Sequence, residues 1–355
     1  MKIVILSYKF PPQHLSGLEM GSDFMARELV KKGHNVHVIV TRRDAHQEFN
    51  ISQYGYTLWR IPVLPIPLMR SLFEVFVASM LIVFIRPQQL HGQALIPCGL
   101  LSGFWGKLLN IPSLMYLYGR DVVHPHYFLR QILGSKAIKW NSMVLAATQH
   151  CKKNALKIFE RDIPVYYSGF DMAINHDENK KHQKIKGRLL FVGRLEEVKG
   201  VDVLLKSLSR LDRDWQLHII GEGSKKKELV DLSINLNCDK HIMWLGNKSN
   251  HDVLVEMREA EMLVLPSREE PYGIVLIEAL AQGCRIVASD IGGIPEIINH
   301  PNRGLLVPCG DSDALLVAIK SSLSQGPLDE DLIKEIIDYY RWDSKINELE
   351  SYYGR

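Results

Sequence analysis

No Cys-x-x-Cys occurs in this 355-residue chain, and its cysteines are few and odd in number: Cys98, Cys151, Cys238, Cys284 and Cys309. That pattern argues against a zinc knuckle, a redox pair or a disulfide scaffold, and for a reducing compartment. No apolar run reaches the roughly 20 residues of a spanning helix. The most apolar stretch, LFEVFVASMLIVFI (72–85), carries Glu74, stops at Arg86-Pro87 and reads as a buried helix. The opening MKIVILSYKFPP is too short, and lacks the small-residue cleavage site, for a secretory signal; it reads as a first β-strand. No low-complexity tract or short repeat stands out. No Lys/Arg-rich run or nucleic-acid-binding motif is present, so nucleic acid is the weakest candidate partner.

What is there is the composition of a soluble globular protein, 46% hydrophobic and 23% charged, long enough for two domains. The net charge of +3 hides an asymmetry. Residues 1–170 hold 19 Lys+Arg and 9 Asp+Glu, leaving 24 and 31 for residues 171–355. A basic first half fits an anionic partner such as a membrane surface or a lipid phosphate, or is simply a basic domain.

Strand-like and helix-like runs alternate. KIVILS (2–7), NVHVIVT (35–41) and SMVLAAT (142–148) read as strands, with a helix over 21–33 ending at Gly33. After the polar DENKKHQKIKG (177–187) the rhythm restarts with RLLFVG (188–193), WQLHIIG (215–221), EMLVLPS (261–267) and CRIVASD (284–290). Such alternation marks βαβ units and parallel sheets. Two series imply two Rossmann-like domains, 1–170 and 188–335, joined by a linker at 171–187. RIPVLPIPLMR (60–70), with three prolines, reads as a loop that either touches lipid or packs on its own domain. FLRQILGSKAIKW (128–140) reads as a basic amphipathic helix packing on the sheet.

Ligands of parallel α/β sheets sit at the carboxyl ends of strands, beside helix N-termini. In FVGRLEEVKG (191–200), Gly193 turns the chain and Arg194 and Lys199 follow, a fork and a point charge suited to a diphosphate, or two surface cations. IIGEGSKKKE supplies Gly221 and Gly223, and SDIGGIPEII supplies Gly292-Gly293 before Pro295. In EEPYGIVLIEALAQGC (269–284) a helix begins near Gly273, so the N–H groups of Gly273, Ile274 and Val275 form an anion seat. Glu270 stands before the seat and Glu278 about 7 Å further along the axis. Carboxylates accept from sugar hydroxyls, so Glu270 fits a sugar and Glu278 a ribose. A glycosidase-like carboxylate pair is the competing reading, and leaves the cations and glycine turns unexplained. Glu278 on a wetted helix face is the bland one.

Together these motifs resemble a known family. PSREEPYGIVLIEALAQGCRIVASDIGGIPEII is similar to the E-x7-E segment of the retaining glycosyltransferases of family 4, which have the GT-B fold. VGRLEEVKG, YYSGFD (166–171) and RGLLVPCGD (303–311) resemble their further motifs, and residues 7–41 their opening strand, loop and helix. The resemblance implies two Rossmann-like β/α/β domains facing across a cleft, with a C-terminal helix (336–355) crossing back to the first. It implies an NDP-sugar co-substrate, transfer with retention, and no metal or other cofactor. Carried over by position, Arg194 and Lys199 neutralise the diphosphate. Glu270, with Gly273 and Ile274, positions the sugar, Glu278 holds the ribose, and Gly17 approaches the phosphates. The family's His-Gly-x-Asp turn stands here as Tyr118-Gly119-Arg120-Asp121, with Tyr118 in place of the imidazole and His124 or His126 downstream.

The expected function is therefore metal-independent, retaining transfer of a hexose-type sugar. The expected acceptor is lipid-linked or a polysaccharide, met in the cytoplasm at the inner membrane face through the basic first domain. A non-catalytic sugar-nucleotide-binding subunit and a sugar-nucleotide epimerase or phosphorylase on the same fold are the alternatives.

Overall fold

The structure, a computed structural model, describes residues 1–11, 17–41, 54–61, 67–119, 128–170 and 184–353. The chain divides into two compact units, Met1–Phe170 with Tyr340–Arg355, and Asp171–Tyr339. In chain order the first contains β1 (Lys2–Ser7), α1 (Gly17–Lys31), β2 (Asn35–Val40), β3 (Thr57–Arg60), α2 (Pro67–Ile85), β4 (Gln89–Gln93), α3 (Leu100–Leu109), β5 (Ser113–Leu117), α4 (Phe128–Trp140), β6 (Met143–Ala146) and α5 (Gln149–Leu156). The second contains β7 (Ile185–Val192), α6 (Val201–Leu208), β8 (Gln216–Ile220), α7 (Lys226–Asn235), β9 (Ile242–Gly246), α8 (Asn250–Glu259), β10 (Ala260–Leu265), α9 (Ile274–Ala281), β11 (Arg285–Ser289), α10 (Ile294–Ile297), β12 (Leu305–Val307), α11 (Ser312–Leu323) and α12 (Glu330–Tyr340). The last helix, α13 (Trp342–Glu350), belongs to the first unit.

Each unit is built on a six-stranded parallel sheet. The orders are β3-β2-β1-β4-β5-β6 and β12-β11-β10-β7-β8-β9. Renumbered from its own first strand, the second order is the first read backwards. Both are the doubly wound order whose direction of growth reverses beside the first strand. That switch point lies between β1 and β4 in one unit and between β7 and β10 in the other.

Period-two alternation builds the first sheet. Ile3 and Ile5 face a core shared with Met25 and Leu29 of α1 and with Trp342, Ile346 and Leu349 of α13. Val4 and Leu6 face the other layer, with Ala78 and Ile82 of α2 and Leu101 of α3. Polar contacts fasten α13: His34 Nε2 lies 2.7 Å from Glu350 Oε1, and the Tyr166 hydroxyl donates to the Lys345 carbonyl at 3.0 Å. In the second unit, caps start the helices where sequence places hydroxyls and acids. Ser249 accepts from Asp252 N at 3.2 Å before α8, and Asp311 from Asp313 N and Ala314 N at 2.9 Å before α11.

The structure differs from the sequence reading in several places. The segment 60–70 is not all loop: α2 begins at Pro67, a position where proline's missing N–H costs nothing; residues 62–66 lie outside the described residues. Nor is 72–85 a wholly buried helix, because one of its faces is exposed. β7 begins at Ile185, inside the segment read as linker, and the terminal segment is two helices that fall in different units. β4 gave no apolar signal: its sequence is QLHGQ, yet Gln89, His91 and Gln93 are all buried. Burial pushes the His91 imidazole down to about 3, which keeps it neutral at the heart of the sheet.

Candidate functional site

The switch point of the second unit brings together the loop after β7 and the loop after β10. Val192 ends β7; Gly193 and the exposed Arg194 follow, then a short 3-10 turn, Glu197–Lys199, and Gly200 leads into α6. From β10 the chain runs Pro266 to Tyr272, and Gly273, at φ 89°, caps α9. Only glycine takes that left-handed conformation without strain. It turns the first-turn amides of Ile274 and Val275 to the mouth of the helix, outside its hydrogen-bond ladder.

The two loops are stitched to each other. Arg268 N and Glu269 N both donate to the Val198 carbonyl, at 2.7 and 3.2 Å. The Arg268 guanidinium grips Asp202 of α6 with both nitrogens, at 2.8 and 2.9 Å, and donates to the Glu197 carbonyl at 2.8 Å. Lys199 Nζ meets Glu270 Oε2 at 2.5 Å, with the two side chains 15% and 11% exposed. A third loop, after β11, holds Glu270 from behind: Gly293 N donates to the Glu270 carbonyl at 3.0 Å. Lys199 and Glu270, read from separate motifs, thus form one nearly buried ion pair.

Gly221 and Gly223 serve the packing of the strand ends. Gly221 N donates to the Gly246 carbonyl and Gly193 N to the Ile220 carbonyl, at 2.8 and 3.0 Å. A methyl group on Gly221 would collide with the Gly193 carbonyl, and one on Gly223 with the Leu195 carbonyl. Glu278 is half-buried on the second turn of α9.

In the first unit, Gly17 is the first residue of α1 and Tyr118 follows β5. The Tyr118 hydroxyl donates to Gln93 Oε1 at the end of β4, and its ring stands edge-on to Tyr116 at 4.5 Å. Gly119 adopts φ 99°. Asp121, with His124 and His126, lies outside the described residues. The structure therefore ties Tyr118 to Gln93, which sequence reasoning did not single out.

Arg268 and Asp202 were missed as well. Partial burial raises the Asp202 carboxyl pKa, but the hydrogen bond and charge of Arg268, with Lys206 at 3.5 Å, outweigh it and hold the pKa below the ordinary value. A depressed carboxylate pKa stabilises the fold above the unfolded value and loses that stabilisation as pH falls through the folded value. Arg268→Ala is expected to cost about 1–2 kcal/mol near neutrality, discounted for the pair's exposure. Thermal melts of wild type and variant should converge below about pH 4, where the unfolded-state carboxyl protonates. A gap that stays constant well below pH 4 would remove the ion pair from the account.

Comparison with known proteins follows the same division. Residues 173–338 match the family model of glycosyl transferases group 1. An uncharacterised glycosyltransferase of Methanocaldococcus jannaschii is 26% identical over 386 residues, spanning 99% of this chain and 98% of that protein. Two solved structures share the fold along the chain. Sucrose-phosphate synthase from Thermosynechococcus elongatus has a TM-score of 0.81 at 19% identity, covering 99% of this chain and 97% of that one. The Anabaena protein HepE, in complex with UDP and glucose, has a TM-score of 0.79 at 16% identity, covering 99% and 98%. The chain carries the GT-B fold of these proteins, and the part of it that matches the glycosyl transferases group 1 model holds Arg194, Lys199, Glu270 and Glu278.

Proposed function

We propose that the chain is a retaining, metal-independent glycosyltransferase that moves a hexose-type sugar from an NDP-sugar to a lipid-linked or polysaccharide acceptor at the cytoplasmic face of a membrane. The observation that carries this is the meeting of Lys199 and Glu270 at the strand-order switch point, beside the mouth of α9. Ligands of doubly wound sheets bind there. The donor diphosphate lies against Arg194 and Lys199, with the first-turn amides of α9 as a further anion seat. Glu270 accepts from sugar hydroxyls and Glu278 from the ribose. The bond from the anomeric carbon to the diphosphate oxygen breaks, and the acceptor oxygen bonds that carbon on the same face. The acceptor's proton leaves with the diphosphate. Arg194 and Lys199 stabilise the charge that grows on the leaving group, as a metal does in other transferases.

A second reading, a non-catalytic sugar-nucleotide-binding subunit, draws on one observation: the Tyr118 hydroxyl is engaged by Gln93. Donor hydrolysis or transfer by the purified chain sinks it. The first test of both readings is thermal stabilisation by UDP-, GDP-, ADP- and dTDP-sugars, with and without divalent metal. A ligand at about 100 times its Kd adds roughly 2.7 kcal/mol. One nucleotide class is expected to shift the melt equally with and without metal. A shift that appears only with metal would overturn the metal-independent mechanism.

A further inference from the structure

We propose that the outward face of α2 and α3 rests on an anionic phospholipid surface. The proposal rests on the reading of a membrane-borne acceptor and assigns the part of the chain that meets the bilayer.

α2 is apolar on two sides. Inward, Ala78, Ile82 and Ile85 pack with Val4, Leu6 and Leu90. Outward, Leu72, Val75, Phe76, Met80, Val83 and Phe84 are all exposed, Leu72 to 73% and Phe84 to 75%. Their spacing of three and four residues sets them on one side of the helix. The two polar residues between them are engaged: Glu74 pairs with Arg70, and Ser79 Oγ donates to the Val75 carbonyl at 2.7 Å and accepts from Trp105 Nε1 at 2.9 Å. α3 continues the surface with exposed Phe104, Leu108 and Leu109. Phe104 packs edge-on against Trp105, and its ring centre lies 5.9 Å from that of Trp140 on α4. Scattered exposed apolar side chains are ordinary; a continuous patch on two neighbouring helices marks a surface that another phase or molecule covers.

Charge selects the occupant. Residues 61–140 contain seven Lys+Arg and two Asp+Glu. One of the two acids, Glu74, is bonded to Arg70 at 3.0 Å; the other, Asp121, lies outside the described residues. Arg86, Lys107, Lys136 and Lys139 are exposed on or beside the helices of the patch. An apolar helix face rimmed by Arg86, Lys107, Lys136 and Lys139, with the acid Glu74 on the same helix already paired with Arg70, is the pattern of a segment lying in the interface of an anionic bilayer. Among the described residues no helix is long and apolar enough to cross a membrane. α2 therefore lies along the surface, about 28 Å of it at 1.5 Å per residue.

The test is co-sedimentation of the full chain with vesicles of phosphatidylglycerol and phosphatidylcholine, against vesicles of phosphatidylcholine alone. The chain is expected to pellet with the anionic vesicles and to be released by salt. The variant Leu72→Ser/Phe76→Ser/Phe84→Ser is expected to lose at least tenfold in binding. Lys107→Gln/Lys136→Gln/Lys139→Gln is expected to lose about a hundredfold, at the scale of one membrane-proximal charge per residue. All these side chains are exposed, so both variants keep the wild-type melt and the wild-type thermal shift with the donor nucleotide. Wild type that stays in the supernatant, or a serine variant that pellets like wild type, overturns the proposal. So does a dimer in lipid-free solution that the serines convert to monomer, which would make the face an interface between copies. Wild type that shows the donor shift and does not bind the vesicles rejects the docking face alone. An absent donor shift with intact vesicle binding rejects the transferase reading alone.

Discussion

Lys199→Ala is expected to lower transfer by about a hundred- to a thousandfold, the scale of removing one preorganised charge from a developing anion. The loss has two physical sources that must be separated. Lys199 is also the partner of Glu270, and both side chains are nearly buried. Removing one member of a fully buried pair costs about 3–5 kcal/mol. Here water still reaches both ends, so about 1–3 kcal/mol is the expected cost of either single truncation. The double variant Lys199→Ala/Glu270→Ala leaves neither charge stranded. It is expected to melt above the less stable of the two single variants and to remain inactive. Melting curves and kcat/KM on the four proteins close the cycle. Activity that returns with stability in the double variant would make the pair structural. Normal turnover in either single variant would remove that residue from the chemistry.

The pairing also bears on how the donor enters. In the ligand-free chain the charge of Lys199 is already met by a carboxylate 2.5 Å away. On the proposed function, a donor diphosphate shares that lysine with Glu270 or displaces the carboxylate from it. Arg194 stands exposed at the end of β7, two residues before Glu196, whose carboxyl pKa its charge helps to lower.

Much of this was legible in sequence where hydropathy and burial agree. KIVILS is β1 residue for residue, and FLRQILGSKAIKW is α4. Where they disagree, the reading failed in both directions. β4 is a central strand whose Gln89, His91 and Gln93 are buried despite their polarity, so no apolar run announced it. α2 is apolar and half of it is exposed, so its hydropathy announced burial on a side that faces out. The charged motifs were legible because Arg194, Lys199, Glu270 and Glu278 stand in short local patterns. Arg268 and Asp202 were not: 66 positions separate them, and only the meeting of β7 and β10 brings them together. Gly221 and Gly223 were found for their position at a strand end, while the structure adds a second reason for them, the closeness of neighbouring carbonyls.

Gly292→Ala is expected to damage the site from behind. Gly292 sits at φ 61°, and a methyl group there would fall deep inside contact distance of the Glu270 carbonyl oxygen. That carbonyl is the acceptor for Gly293 N. The variant must lift the loop after β11 or push Glu270 forward, and either breaks the bond that fixes the backbone of Glu270. Left-handed strain alone costs about 1–2 kcal/mol. The collision adds to it, so a fall of about 5–10 °C in melting temperature is expected, with at least a tenfold loss of donor affinity. Gly310→Ala supplies the control. Gly310 has φ 78° and nothing within 4 Å of the added carbon. It carries the strain without the collision, and is expected to lower the melt by a few degrees and leave donor affinity unchanged. The difference between the two variants isolates what the loop after β11 contributes to Glu270. If Gly292→Ala binds donor as tightly as Gly310→Ala does, Glu270 is held by Lys199 and its own loop alone, and the third loop is scaffolding without a part in the site.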